Sequence, residues 1–246
     1  MEWSPALKQE WLEACHRLQL FPAWEDAALL ELLATYGKLY DALIVYNQKV
    51  NLTRITEPRD VLYRHLLDSL LLVPHIPQGA HVADVGSGAG FPAIPLAMAR
   101  PDLQVTAMES VGKKCVFIEE IRQAFGLEDR LKVVNGRSEE LGNQPLYREQ
   151  FDVVTARAVA ALPTLLELTL PLTKPKGSFI AIKGPSYEEE LKASQKALQT
   201  LKGRCEQVIH SAVSPEQASI LLIFQKTGVT PKGYPRLPGM PSKKPL

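Results

Sequence analysis

The stretch Val82-Ala83-Asp84-Val85-Gly86-Ser87-Gly88-Ala89-Gly90-Phe91-Pro92 decides the fold of this chain. A short apolar segment predicts a β-strand, three glycines at alternate positions follow it, and a helix-like segment comes next. Glycine carries no Cβ, so the backbone can turn tightly at the strand end and stay open above it. Backbone N–H groups at the helix start can then bind a flat or anionic ligand. The stretch therefore predicts an α/β sheet with a nucleotide-type cofactor at its edge.

Two acidic residues bear on which cofactor binds there. The Gly-x-Gly-x-Gly spacing differs from the Gly-x-Gly-x-x-Gly of dinucleotide sites, and no Gly-Lys-Ser/Thr ending follows it. Glu109 ends the next apolar run, where a carboxylate can accept hydrogen bonds from ribose hydroxyls. NAD and S-adenosylmethionine both carry a ribose, so Glu109 alone does not separate them. Asp84 favours S-adenosylmethionine, because an ammonium group needs a nearby anion that would repel a pyrophosphate. A dinucleotide site and a ligand-free glycine turn are the alternatives.

The composition is that of an ordinary globular protein. Of 246 residues, 46% are hydrophobic and 22% are charged, which is ample for a full core. No apolar run reaches the length of a membrane span and the first residues lack a signal-peptide pattern, so we expect a cytoplasmic protein. The cysteines Cys15, Cys115 and Cys205 are isolated and are expected to be reduced. A net charge of +1 does not indicate a nucleic-acid binder, so RNA contacts must come from local basic patches.

The hydrophobic pattern divides the chain into three parts. Residues 1–78 are predicted to form an N-terminal helical subdomain, because apolar residues recur at helical spacing over 5–20 and 25–45. Over residues 79–226 strands alternate with helices, which predicts a mostly parallel sheet covered on both faces. Residues 227–246 are rich in Pro, Gly and Lys and are predicted to be a tail that lies on the surface or is disordered, apart from the cofactor site.

The end of the sheet is predicted to differ from its beginning. After a helix over 188–201, strands over 206–213 and 219–226 are joined only by Ser214-Pro215-Glu216-Gln217. This link is too short for a crossover helix, so the two strands must be antiparallel. A parallel sheet closed by a terminal hairpin favours the class I S-adenosylmethionine-dependent methyltransferase fold, a Rossmann-like seven-stranded sheet, over a dehydrogenase.

Motifs along nearly the whole length of the chain resemble those of a known family. They are Asn51-Leu52-Thr53, Arg64-His65-Leu66-Leu67-Asp68-Ser69-Leu70, Asp84 to Pro92, Glu109-Ser110, Lys113-Lys114, Arg137-Ser138-Glu139-Glu140, Ala156-Arg157-Ala158, Lys183-Gly184 and Tyr234-Pro235-Arg236. In combination they resemble the bacterial 16S rRNA guanine-N7 methyltransferase family RsmG, also called GidB. One departure is Ala93, where the family often has glycine. The resemblance implies S-adenosylmethionine as cofactor and a guanine in the small ribosomal subunit as target. We expect no obligate protein partner, and a monomer.

Position along the predicted sheet assigns roles to the cofactor-site candidates. The glycine loop is expected to line the amino-acid part of the cofactor, with Asp84 near the ammonium group, while Glu109 binds the ribose. Ser138 and Glu139 follow the third strand and are expected to border the adenine. Arg157 closes the fourth strand and meets the cofactor carboxylate or an RNA phosphate; the resemblance favours the cofactor. The candidates are Asp84, Gly86, Gly88, Phe91, Glu109, Ser110, Val111, Ser138, Glu139 and Arg157.

Some of these residues also have structural interpretations. Asp84 can accept hydrogen bonds from loop N–H groups, and Ser138-Glu139-Glu140 can start a short helix. Arg157 can form a surface ion pair. His65 can be a partly buried structural histidine as well as an RNA contact, and Asn51 can form a turn.

The sequence contains none of the devices that other base methylations require. Guanine N7 carries a free lone pair, so methylating it needs no general base. The place where enzymes acting on exocyclic amines carry Asn/Asp-Pro-Pro-aromatic reads Thr155-Ala156-Arg157-Ala158-Val159-Ala160, and no cysteine follows a strand as a nucleophile for carbon methylation. The reaction is therefore expected to depend on positioning. No acid or base and no metal site is predicted; Arg157, Asn51 and His65 are positioning candidates.

Basic residues supply the predicted RNA contacts. The chain has no Asp or Glu after Glu216, so its basic end can neutralise phosphates, although it can also be a solubilising tail. A small-molecule methyltransferase and a non-catalytic ribosome-assembly factor are the competing functions. The predicted RNA-binding residues are Arg54, Lys113, Lys114, Arg137, Lys183, Arg236, Lys243 and Lys244.

Overall fold

The computed structural model describes residues 1–214 and 217–246, and its centre is one mixed sheet. The strand order is β3-β2-β1-β4-β5-β7-β6. Strands β1 to β5 are parallel to one another, whereas β7 is antiparallel to both β5 and β6. The predicted fold and terminal hairpin are confirmed, and the link Pro215–Glu216 lies outside the described residues. The strands are β1 His81–Val85, β2 Gln104–Glu109, β3 Leu131–Asn135, β4 Phe151–Arg157, β5 Thr173–Lys183, β6 Gly203–Ser214 and β7 Gln217–Lys226.

Helices cover both faces of this sheet. A π-helical turn, Leu62–Leu67, connects α3 to α4 without a break, and a 3-10 turn follows at Val73–His75. None of the described helices is long and apolar enough to cross a bilayer. The α-helices are α1 Pro5–Arg17, α2 Asp26–Asn47, α3 Pro58–Val61, α4 Asp68–Leu70, α5 Ala93–Ala99, α6 Gly112–Ala124, α7 Ser138–Leu141, α8 Leu162–Thr169, α9 Tyr187–Ala193, α10 Gln195–Leu201 and α11 Met240–Lys243.

Alternation along the strands builds two separate cores. In β1, Val82 belongs to the core shared with α5, α6 and the N-terminal helices, while Ala83 and Val85 belong to the core under α8 and α10. Successive side chains of a strand point to opposite faces, so one strand contributes to both cores. The sheet is thus buried on both sides, as the continuous apolar strands predict.

The N-terminal helices are anchored to the sheet layer by buried hydrogen bonds as well as by apolar packing. The Trp11 Nε1–H donates to the Leu29 carbonyl at 2.9 Å, which ties α1 to α2. The fully buried Tyr36 hydroxyl donates to the Pro95 carbonyl at 3.0 Å, which ties α2 to α5. A buried hydroxyl needs such a partner, because leaving it unpaired costs about 1–3 kcal/mol. The two bonds thus connect α1 through α2 to α5, which packs on the sheet.

One predicted helix is divided in the structure. Residues 188–201, expected as a single helix, form α9 and α10 with Ser194 between them. The buried Ser194 hydroxyl donates to the Glu190 carbonyl at 2.7 Å. A serine hydroxyl that bonds to a preceding carbonyl competes with the helical pattern and bends the helix.

The last twenty residues pack on the fold. Thr230 is buried, and Tyr234 and Leu246 pack against the core under α8. Helix α11 lies on α8, where the Thr164 hydroxyl donates to the Pro241 carbonyl at 3.0 Å. Of the two predicted states of the tail, surface packing is therefore the one found.

Candidate active site

The carboxyl ends of the parallel strands open into a large cavity of about 710 Å³. Its walls come from the glycine loop, the ends of β2, β4 and β5, the π-helical turn and the start of β7. A smaller cavity of about 100 Å³ adjoins it beside the start of α7. Gly86, Ser110 and Val159 line both cavities. Ligands of open α/β sheets bind at this edge, so the two cavities are the candidate active site.

The glycine loop is open where a ligand must approach. Gly86, Gly88 and Gly90 all have left-handed φ, at +70°, +59° and +84°, which side chains rarely adopt. A Cβ on Gly86 would meet the Val159 Cγ2 at 2.6 Å, and one on Gly90 would meet the Ile94 Cδ1 at 2.2 Å. A Cβ on Gly88 would meet only the Gly86 carbonyl oxygen, at 3.9 Å. Gly88 therefore faces free space, which a flat ligand can fill.

Glu109 lies where a ribose is expected to bind. Its Oε2 accepts the Gly88 N–H and its Oε1 accepts the Val111 N–H, both at 2.8 Å. Ser110, between Glu109 and Val111 in the sequence, lines the large cavity. Each carboxylate oxygen can accept a second hydrogen bond, so the pair of oxygens remains able to bind two ribose hydroxyls. The carboxylate is also fixed in place before any ligand arrives.

Asp84 lies beneath the glycine loop and is almost completely buried, at 1% exposure. Its Oδ1 accepts the Thr155 hydroxyl at 3.2 Å, while its Oδ2 has no partner among the described residues. Burial raises the pKa of Asp84 from 3.8 to about 6. An unpaired buried carboxylate oxygen is costly unless a cation approaches it. This observation fits a cofactor that carries an ammonium group.

The smaller cavity has the residues predicted for the adenine. Ser138 and Glu139 line it, at the start of the short helix α7, so the predicted helix start and the predicted site coincide. The Glu139 Oε1 accepts the Arg137 Nη2–H at 2.9 Å. Burial alone would raise the pKa of Glu139, but hydrogen bonds, chiefly from Arg137, lower it. Glu139 is therefore a fixed, ionised acceptor at this wall.

Arg157 is the centre of a network that joins four segments of the chain. Its guanidinium donates to the Asp68 Oδ2 at 3.1 Å, to the Arg64 carbonyl and to the His65 Nδ1 at 3.1 Å. The Asp68 Oδ1 in turn accepts the Ser219 hydroxyl. The Asp68 side chain is only 6% exposed, so this is a mostly buried ion pair instead of the surface pair considered from the sequence. Arg157 lines the cavity, and whether it meets the cofactor carboxylate stays a prediction.

The neighbours of His65 define its protonation state. An arginine can only donate, so the His65 Nδ1 must accept, and its Nε2 carries the proton that is donated to the Thr53 Oγ1 at 2.9 Å. Burial and the positive charge of Arg157 lower the pKa of His65 to about 3. The imidazole stacks on the Phe91 ring at 4.5 Å with an angle of 11° between planes. His65 is thus a neutral, fully hydrogen-bonded side chain in the cavity wall.

Five predicted RNA-binding residues lie on accessible surface. Lys114 lines the large cavity and Lys113 is exposed beside it in the first turn of α6. Arg54 is exposed next to the Thr53 that bonds His65. Lys243 and Lys244 are exposed at the end of α11. These placements agree with contacts to RNA, which stay a prediction.

Three other predicted RNA-binding residues already have protein partners. Arg137 pairs with Glu139, and the Lys183 Nζ pairs with the Glu190 Oε2 at 2.7 Å. The Arg236 guanidinium pairs with the fully buried Glu167 at 2.5 Å. Because releasing Arg236 would leave that buried carboxylate unpaired, Arg236 has a structural role, and its contact with a phosphate stays a prediction.

Three side chains of the Arg157 network were not predicted. Thr53 and Asp68 lie inside motifs that carry the family resemblance, yet nothing in their spacing points to His65 or Arg157. Ser219 stands in the hairpin strand β7 with no local signal. Asn51, one of the three positioning candidates, is exposed. The side chain that caps the neighbouring turn is Asn47, whose Oδ1 accepts two backbone N–H groups.

Comparisons with known proteins identify the family of this chain. The GidB family model, described as rRNA small subunit methyltransferase G, matches residues 32–220. Ribosomal RNA small subunit methyltransferase G of Lactobacillus delbrueckii is 44% identical over 213 residues, covering 84% of this chain and 88% of that protein. The Bacillus subtilis protein of the same name is 43% identical over 218 residues, covering 87% and 90%.

The solved structures show the same fold. A SAM-dependent methyltransferase from Aquifex aeolicus superposes with a TM-score of 0.52 at 20% identity, covering 69% of this chain and 94% of that one. The likeness agrees with the sheet order and the terminal hairpin of the present chain. With the family match over most of its length, this chain belongs to the rRNA small subunit methyltransferase G (GidB) family of S-adenosylmethionine-dependent methyltransferases.

Proposed function

We propose that this protein transfers a methyl group from S-adenosylmethionine to N7 of one guanine in the 16S rRNA of the small ribosomal subunit. The observation that carries the choice of N7 is that the groups able to accept a proton from the substrate are already engaged. The His65 Nδ1 accepts from Arg157, Asp68 accepts from Arg157 and Ser219, and Glu190 pairs with Lys183. The two remaining carboxylates, Asp84 and Glu109, are assigned to the cofactor, which leaves no base for the substrate. Such a site suits an atom that has no proton to lose.

The cysteines support the same choice. All three are free thiols, and none lines the large cavity as the described residues define it. Burial raises the pKa of Cys15 to about 12 and also raises the pKa of Cys115 and Cys205. The thiolate is the nucleophilic form of cysteine, so these thiols are poor nucleophiles at neutral pH. Carbon methylation through a cysteine adduct therefore has no candidate residue.

The cofactor would be held by the groups that the two cavities present. When bound, S-adenosylmethionine supplies a methyl group on a positively charged sulfur. Glu109 would hold the ribose hydroxyls, Ser138 and Glu139 would border the adenine, and the ionised Asp84 would attract the ammonium group. Each of these groups is fixed by the fold before binding, so little ordering is needed.

The protein's contribution to the reaction would be geometry. The N7 lone pair forms the new bond to the methyl group while the methyl–sulfur bond breaks. The electron pair of the broken bond stays on the sulfur. No proton moves, so alignment of the two reactants supplies most of the rate enhancement. The Arg157 network would hold the cavity wall rigid on the guanine side, with the neutral His65 stacked on Phe91.

The RNA would approach from the open side of the cavity, beside Lys113, Lys114 and Arg54. Lysine and arginine side chains bind phosphates without regard to sequence and set the register of the complex. We assign residues 1–78 to the substrate side, 79–226 to the cofactor side and 227–246 to a supporting segment. The protein would act as a monomer in the cytoplasm, without an obligate protein partner.

The test is to map the modified base. The purified protein is incubated with methyl-labelled S-adenosylmethionine and small-subunit rRNA, free and in assembled subunits. N7-methylguanine is a cation whose chain can be cleaved after reduction and aniline treatment, so primer extension should stop at one guanine. Label on any other atom, or a stop that persists after deletion of the gene in its host, would contradict the proposal.

A further inference from the structure

The C-terminal strap, residues 227–246, is tied to the fold by buried polar groups. The Lys226 Nζ is fully buried and donates to the Thr230 hydroxyl at 2.6 Å and to Glu149 at 3.2 Å. The Thr230 N–H donates to the same Glu149 carboxylate at 2.6 Å. The Arg148 guanidinium donates to the carbonyls of Thr230 and Tyr234 at 3.0 and 2.7 Å. The strap therefore begins with a fixed course across the protein.

A second anchor follows at Arg236. Its backbone N–H and its guanidinium both donate to Glu167, whose side chain is 0% exposed in helix α8. Leu168, the next residue of α8, lines the smaller cavity. The Arg236–Glu167 pair thus holds the strap against α8, the helix whose Leu168 lines the cavity predicted for the adenine.

Beyond that anchor the strap touches the wall itself. The Gly239 N–H donates to the Glu139 Oε1 at 3.0 Å, and the Arg137 guanidinium reaches the same oxygen at 2.9 Å. The Asn143 side-chain amide bridges the Glu139 carbonyl and the Pro235 carbonyl, at 2.9 and 3.0 Å. Glu139 is 3% exposed, so the direction of its carboxylate depends on these donors.

We infer that the C-terminal strap is a positioning element of the cofactor site, acting through the Gly239 N–H on Glu139 at the adenine end. The inference rests on the proposed assignment of the smaller cavity to the adenine. Without Gly239, one donor to a nearly buried carboxylate is lost, and Arg137, which is half exposed, holds it alone. The carboxylate then loses its fixed direction, and a cofactor that requires it binds more weakly. The prediction that the cofactor site draws nothing from this segment is thereby replaced.

The experiment compares two truncations of the full chain. A chain ending at Leu237 keeps the Arg236 anchor and lacks Gly239, whereas a chain ending at Ser242 keeps Gly239 and Pro241. Calorimetry measures the affinity for S-adenosylmethionine and for methylthioadenosine, which has the adenosine without the amino and carboxylate groups. The shorter chain should bind both ligands about tenfold more weakly, the effect of one hydrogen bond to a charged group. The chain ending at Ser242 should bind both ligands as tightly as the full chain does.

The Glu139→Ala substitution, made in the full chain and in the chain ending at Leu237, tests the route of the effect. If the strap acts through Glu139, truncation should cause no further loss in the Glu139→Ala background. A further tenfold loss there, or an unchanged affinity of the shorter chain with Glu139 present, would overturn the inference. If Glu139→Ala in the full chain leaves the affinity unchanged, the adenine assignment fails instead.

A second variant covers the case in which the shorter chain does not fold. Gly239→Pro in the full chain removes the N–H donor and, because proline cannot adopt the left-handed φ of +81° at Gly239, also changes the backbone there. Circular dichroism reports whether the fold is retained. A folded Gly239→Pro protein with unchanged affinity for methylthioadenosine would overturn the inference. The same affinity loss as in the Glu139→Ala protein would support it.

Discussion

The candidate active site has two halves, which the proposed function assigns to the cofactor and to the substrate, and they are built in different ways. The cofactor half consists of the glycine loop, Glu109 to Val111, and Arg137 to Glu139, and its contacts are made largely by backbone N–H groups. The substrate half is a network of side chains from distant parts of the sequence: Thr53, His65, Asp68, Arg157 and Ser219. In that network the Asp68–Ser219 hydrogen bond joins residues 151 positions apart.

The difference teaches where each half is vulnerable. A backbone donor remains when a side chain is changed, so the cofactor half should lose affinity in steps and keep its fold. In the substrate half each buried polar group depends on another, so removing one leaves its partner unpaired. Changes in the cofactor half should therefore appear in cofactor binding, and changes in the substrate half in stability and turnover.

The largest effect is expected for Arg157→Ala. Asp68 would keep only the Ser219 hydroxyl and the His65 Nδ1 would lose its donor, while both side chains remain mostly buried. Breaking a buried pair in this way costs about 3–5 kcal/mol. We expect the free energy of unfolding in urea to fall by that amount and methylation to be lost. The control is Arg204→Ala, which removes an exposed pair with Glu206 and should cost less than about 1 kcal/mol. Equal losses for the two variants would erase the distinction between a buried network and a surface pair.

Comparison with Asp84→Asn should show that the ionised, buried Asp84 carboxylate destabilises the folded protein. The pKa of Asp84 is raised from 3.8 to about 6 by burial. Between these values the native state binds more protons than the unfolded state, so the contribution of Asp84 to the free energy of unfolding falls as pH rises through this window. This difference in the pKa of Asp84 between the two states corresponds to about 3 kcal/mol in the free energy of unfolding. Urea unfolding from pH 4 to pH 8 should show this fall in the wild type relative to Asp84→Asn.

The affinity for the cofactor should change with pH in the direction opposite to that of the stability. The ionised Asp84 attracts the ammonium group, so wild-type affinity for S-adenosylmethionine should rise with pH through the same window, and the Asp84→Asn protein should show no such rise. Parallel stability curves for the two proteins, together with equal pH dependence of binding, would remove Asp84 from the site.

Glu109→Ala should weaken the binding of the cofactor without unfolding the protein. The carboxylate is expected to bind the ribose hydroxyls, and hydrogen bonds to a charged group contribute about 1.5–3 kcal/mol. Calorimetry should show that loss for S-adenosylmethionine and an unchanged affinity for the RNA. Glu119→Ala on helix α6, where Glu119 pairs with Arg122, serves as the control with unchanged cofactor affinity. A loss of RNA affinity in Glu109→Ala would mean that the two halves are not separable.

The smallest effect is expected at the basic rim. Replacing both Lys113 and Lys114 by Gln should reduce the slope of log RNA affinity against log salt concentration by about 0.7–0.9 for each phosphate that the protein no longer neutralises. Lys176→Gln, at the opposite end of the sheet, should leave the slope unchanged. Filter binding at several salt concentrations measures both, and identical slopes for all three proteins would contradict the placement of the RNA beside α6.

The sequence by itself determined the sheet, its terminal hairpin and the cofactor half. Each depends on neighbours in the chain: glycines at alternate positions impose a turn, and a four-residue link forces antiparallel strands. It also carried the family resemblance, which the comparisons confirm. The Ser194 break in the last helix pair was missed, because a helical pattern does not show which hydroxyl will bond backwards.

Only the tertiary structure decided the contacts of the substrate half and of the strap. Whether Arg157 meets Asp68, or Gly239 meets Glu139, depends on how helices and loops pack after the sheet has formed. Such contacts leave no periodic signal, since each partner lies on its own element at an arbitrary distance along the chain. For the same reason the ion pair between Arg236 and the buried Glu167 was not predicted: the sequence shows only a basic residue in a basic tail.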